Sequence, residues 1–97
     1  MLATAVHVTG STNLESGRRY GIALRDSRLL ILGPTDIDPS RVALDRPIAG
    51  MDARSVEGRL IVGNPQGLVL AFMAVAGPAT HDLAAAIVEA ARGEEGR

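Results

Sequence analysis

Apolar and polar residues alternate along most of this chain, most clearly at Tyr20-Gly21-Ile22-Ala23-Leu24-Arg25, where Tyr20, Ile22 and Leu24 share one face at period 2. Arg25-Asp26-Ser27-Arg28 breaks the pattern with side chains that solvate well or bond back to their own backbone. Residues 29–32 resume it, which predicts a hairpin. Upstream, residues 1–9 alternate loosely, with Leu2, Val6 and Val8 as apolar members, and predict a first strand followed by a loop at Gly10-Ser11-Thr12-Asn13. Residues 14–19 are polar and connect this strand to the hairpin. Gly33-Pro34 ends the hairpin, because proline donates nothing to a sheet ladder, and residues 35–40 form a loop.

Residues 41–44 predict a short strand interrupted by Asp45-Arg46-Pro47, and 48–56 a second strand or its bent continuation. Glu57-Gly58 has the arrangement of a two-residue hairpin turn between Val56 and Arg59. Asn64-Pro65-Gln66-Gly67 carries the type I preferences for asparagine first, proline second and glycine fourth. Residues 68–75 are then a near-continuous apolar strand, bounded by Gly77-Pro78. Only the last segment changes period. Thr80 as a cap, Asp82 in the first turn, Arg92 in the last and Gly93 as the stop predict a helix over 80–92. Leu83 and Ile87, with Ala84, Val88 and Ala91 beside them, give it one small apolar side. Residues 94–97 are expected to be a flexible tail behind a single domain over 1–93.

The length of 97 residues suits one core, and aromatic residues make up only 2% of the chain, so Leu, Ile, Val, Met and many alanines must fill that core. A formal net charge of −1 implies no general attraction to nucleic acid, and no nucleic-acid partner is expected. All ten basic residues are arginine, which we read as coding bias more than as function. There is no cysteine, hence no disulfide, thiolate nucleophile or cysteine-ligated metal. Residues 1–6 do not fit a secretory signal, and the longest apolar run, 67–77, falls short of the roughly 20 residues a membrane-crossing helix needs. A cytoplasmic protein is expected.

About seven short strands in an antiparallel meander, closed by one C-terminal amphipathic helix, resembles the pleckstrin-homology (PH) superfold. The likeness is carried by Gly21-Ile22-Ala23-Leu24-Arg25-Asp26-Ser27-Arg28-Leu29-Leu30-Ile31-Leu32. This stretch looks like the second and third strands of bacterial PH-like and GRAM-type domains, with Arg25-Asp26 where those often have Thr-Asp. The resemblance implies a mostly β, α+β fold: a partly open barrel with the helix plugging one end. It also implies function by binding, to phosphoinositide headgroups, peptides or other subunits, with catalysis rare.

Little in the sequence speaks for chemistry. His7 and His81 lie far apart without metal-ligand spacing, Asp36 and Asp38 lack the glycine and closing glutamate of a calcium loop, and no serine sits in a nucleophile elbow. Neither metal nor cofactor is expected, and an unrecognised small enzyme is the third reading in rank. The second is anionic headgroup binding: carried over from the resemblance, the loop before the second strand would place phosphate contacts at Arg18 and Arg19, with Arg25 and Arg28 flanking the hairpin. The first is a non-catalytic interaction module that self-associates or binds a protein partner. Both faces of 68–75 are apolar, so Leu68, Leu70 and Phe72, or their alternates on the other face, are the expected self-association residues of a homo-oligomer.

Overall fold

The computed structural model describes residues 1–9 and 14–95. Seven strands, β1 (Leu2–Thr9), β2 (Arg19–Arg25), β3 (Arg28–Leu32), β4 (Val42–Pro47), β5 (Asp52–Val56), β6 (Arg59–Gly63) and β7 (Val69–Ala76), precede one helix, α1 (Thr80–Glu95). They form a single antiparallel sheet in the order β4-β3-β2-β1-β7-β6-β5. The mostly β, α+β meander with one C-terminal helix is therefore the architecture, and the sheet is not closed.

Strands adjacent in sequence, β4 and β5, lie at opposite edges of this sheet. Seven strands laid flat would be about 29 Å wide at about 4.8 Å per step. The link from Pro47 to Asp52 reaches at most about 17 Å. The sheet must therefore curl until its edges approach, and its inner face becomes the core. Tyr20, Ile22, Leu29, Ile31, Leu60, Val62, Leu70 and Phe72 point inward, and Ile48 and Met51 from the link join them. The α1 helix lies over β5 and β6, burying Ala84, Ile87 and Ala91.

Both tight hairpins close on two residues in the left-handed region, Asp26-Ser27 and Glu57-Gly58, as type I′ turns require. Asp26-Ser27 has no glycine, so it carries a conformational cost that outside contacts must offset. The Ser27 carbonyl accepts from the Ile48 amide at 2.9 Å, and its hydroxyl donates to Glu94 near the end of α1. At the other end of the helix the hydroxyls of Thr80 and Ser55 share a 2.6 Å hydrogen bond. Thus α1 is fastened at one end to β5 and at the other to the β2–β3 turn.

Four local expectations are corrected. Ala3 and Ala5 are the buried residues of β1 and Val8 packs against the core beside them, while Val6 is exposed, because a register shift between Ala5 and His7 breaks the single phase that Leu2, Val6 and Val8 suggested. Asp45-Arg46-Pro47 belongs to β4, since an edge strand tolerates proline. Thr80 spends its hydroxyl on Ser55, and the Ala79 carbonyl accepts the first helical hydrogen bonds, from Asp82 and Leu83. Gly93 does not stop the helix, which runs on to Glu95, so residues 94 and 95 are not a tail. The loop expected at 10–13 and the remaining tail, 96–97, lie outside the described residues.

Two substitutions test this packing. Ile87→Ala, at a wholly buried site under the sheet, is expected to cost about 2–5 kcal/mol in urea unfolding. Phe72→Asp is expected to abolish the cooperative transition altogether, because it buries an unpaired charge where the side chain has no solvent exposure.

Candidate functional site

The curl of the sheet decides which residues reach solvent. β7 alternates between two apolar sets: Leu70 and Phe72 point into the core, and Val69, Met73 and Val75 point out, 39%, 38% and 47% exposed. Leu68, just before the strand, is also buried. The three residues expected to mediate self-association are therefore core residues. Phe72 stands opposite Ala5 on one side and Leu60 on the other, and the two small or branched neighbours leave the interior space it fills. The surface role passes to the alternate set.

Cross-strand register assembles that outer set into rows. Met73 lies between Thr4 of β1 and Arg59 of β6, Ala71 between His7 and Ile61, and Val69 between Thr9 and Gly63. Beyond β6, Arg59 faces Val56, Ile61 faces Arg54 and Gly63 faces Asp52. The result is an apolar stripe along β7 and Ile61, with Thr4, His7 and Thr9 on one flank and Asp52, Arg54 and Arg59 on the other. Val6, pushed outward by the irregularity in β1, adds to the apolar side.

The four expected arginines are not brought together. Arg18 and Arg19 stand at the start of β2 and Arg25 at its end, about 20 Å away at about 3.3 Å per residue. Arg18 is held between two carboxylates, its Nε 3.2 Å from Glu15 Oε2 and its Nη1 3.2 Å from Asp36 Oδ2. Arg19 uses its backbone carbonyl to accept from the Thr35 amide at 2.9 Å, and its side chain is exposed. At the far end Arg25 pairs across the turn with Arg28, a like-charge juxtaposition relieved by the ion pair of Arg28 with Asp45. Glu15 is a local partner of Arg18, three residues away, whereas Asp36 and Asp45 come from a loop and a strand that no local pattern links to Arg18 or Arg28.

The histidines are equally separate. His7 Nε2 meets Thr9 Oγ1 at 2.7 Å on the surface of β1, and His81 Nε2 meets Asp82 Oδ1 at 3.1 Å on the exposed first turn of α1. Among the described residues no group of three histidine or carboxylate side chains is placed to hold a metal ion. No helix among them is long and apolar enough to cross a membrane. Comparison of the chain with protein-family models, with curated proteins and with solved structures finds no match.

Near Arg18, the loop 35–40 is ordered by Asp38, whose Oδ1 accepts from the Ser40 hydroxyl at 2.8 Å and the Ser40 amide at 3.0 Å. Both bonds favour the ionised carboxyl and hold it below the usual aspartate range. A lowered value means that the loop keeps this support above the ordinary aspartate range and loses it as pH falls through the lowered one. In an NMR titration, Ser40→Ala is expected to move the Asp38 midpoint upward, because it removes the hydroxyl that favours the ionised carboxyl.

Proposed function

We propose that this chain is a non-catalytic interaction module of PH-like architecture, acting in the cytoplasm through contact with protein, a second copy of itself first of all. The element order of seven strands and a closing helix supports the architecture. One observation carries the function: the outward face of β7 is apolar at its centre and polar at its flanks, which is the anatomy of a protein interface. Fully burying a Val or Met side chain stabilises by about 1.5–3 kcal/mol, so covering what remains exposed of Val69, Met73 and Val75 gains a few kcal/mol per chain before association costs.

The arginine end of the molecule supports headgroup binding less well. An anionic ligand at Arg18 must displace Glu15 and Asp36, and the surface there carries both signs of charge. The protein-contact reading needs no such rearrangement.

Light scattering at micromolar concentration tests the proposal. A mass that is a multiple of 10.1 kDa is expected, falling in a Met73→Asp/Val75→Asp variant that keeps its circular dichroism. A mass that stays at that of one chain at all concentrations, or that ignores the double substitution, overturns it. Vesicle co-sedimentation separates the lipid reading: binding to anionic over neutral vesicles that is lost in Arg18→Ala/Arg19→Ala would favour that reading instead.

A further inference from the structure

The two edges of the sheet are built differently. β4 is guarded against an added strand: Ala43 is an extra residue in its ladder with β3, Pro47 lacks an N–H, and Asp45 and Arg46 are charged. β5 has no proline and no irregularity along its five paired residues. Its turn to β6 is two residues long, which makes Val56–Arg59, and with it Arg54–Ile61 and Asp52–Gly63, the hydrogen-bonded pairs of the ladder. Ala53 and Ser55 therefore aim their N–H and C=O groups away from β6, and no backbone hydrogen bond among the described residues reaches them there. Beside them an open groove between β5 and α1 is lined by Ala53, Ala84, Ala85 and Val88, with Glu89 and Arg92 completing its wall, and its small apolar part leaves room for the inward side chains of another strand.

We infer that the β5 edge is the seam of a two-fold dimer, in which β5 of a second copy adds antiparallel with Ala53 on the axis. The charges choose both occupant and register. Asp52 and Arg54 are exposed, opposite in sign and two residues apart on the outer face, 3.5 Å from each other within one chain. With Ala53 opposite Ala53 of the second copy, Asp52 faces the copy's Arg54 and Arg54 faces its Asp52. These two complementary pairs fall at the closely spaced, non-hydrogen-bonded positions of the ladder. The two Ala53 residues exchange both backbone bonds, and each Ser55 amide reaches the Met51 carbonyl of the other chain. Moving the axis onto Arg54 forms as many bonds but sets the two Arg54 guanidinium groups against each other, which disfavours it. The seam joins the two sheets edge to edge and leaves both β7 stripes uncovered on the same side.

This inference rests on the self-association proposed above and names a contact separate from the stripe, so the two are tested apart. In the Met73→Asp/Val75→Asp background, light scattering is expected to show a dimer. Adding Arg54→Asp sets acidic groups against each other across the seam and is expected to raise the dissociation constant about tenfold. The charge swap Asp52→Arg/Arg54→Asp is expected to restore dimerisation, an outcome that only the Ala53-centred register produces. All four residues are exposed, and circular dichroism checks that each variant stays folded. The seam is overturned if Arg54→Asp has no effect or if the swap binds no better than the single change. A wild type that associates, with a stripe variant that is monomeric, sinks the seam and keeps the stripe. An assembly that ignores the stripe substitutions but yields to Arg54→Asp does the reverse, and a monomeric wild type sinks both.

Discussion

The short link between β4 and β5 is the constraint from which the rest of the architecture follows. It ties together the two edges of a sheet that would otherwise stand well apart, and curling is the only way to satisfy it. Once the sheet curls, its concave side has little room. Alanine at positions 3 and 5 in the central strand fits that space, and directly across the ladder from them Tyr20 and Phe72 fill it. A core with so few aromatic residues cannot also close the open side, and α1 does so with a face of alanines around Ile87. Such a face relies on Ile87 for most of its packing, and the two side-chain ties at its ends add to its hold.

Those ties explain a local oddity. A type I′ turn built from Asp26 and Ser27 sets two side-chain-bearing residues in a region that glycine occupies more readily. Here the serine is used rather than merely tolerated. Its carbonyl anchors the link at Ile48 and its hydroxyl meets the helix, so the strained turn is where hairpin, link and helix are joined.

Much of this was legible in the sequence because its causes are local. The alternation at 20–25, the turn at Glu57-Gly58, the turn at 64–67, where the Asn64 side chain accepts from the Gln66 and Leu68 amides, and the amphipathic helix all depend on residues a few positions apart. What could not be read depends on partners distant in sequence. The phase of β1 is set by its irregular pairing with β7, and Thr80 is drawn from capping by Ser55. The interaction surface shows the limit most clearly. That 68–75 is apolar on both faces is plain from its residues, but period 2 gives no sign of which set turns inward when both are apolar. That choice belongs to Ala5 and Leu60 across the strand from Phe72. The unguarded edge at β5 was hidden for a similar reason, since a strand is an edge only relative to the whole sheet.

The position of β1 has a kinetic consequence. It is the first strand in the chain and occupies the middle of the sheet, and one of its two partners is the last strand. Strands β2 to β4 and β5 to β7 pair with sequence neighbours and can assemble early, each as a three-stranded unit. Only β1 joins them, and its ladder with β7 requires closing nearly the whole chain into a loop. The edge of β1 that faces β7 therefore stays unpaired until residues 69–76 are available to meet it. Because β1 also pairs with its neighbour β2, it can extend the β2–β4 unit early, and the contact left for last is its ladder with β7.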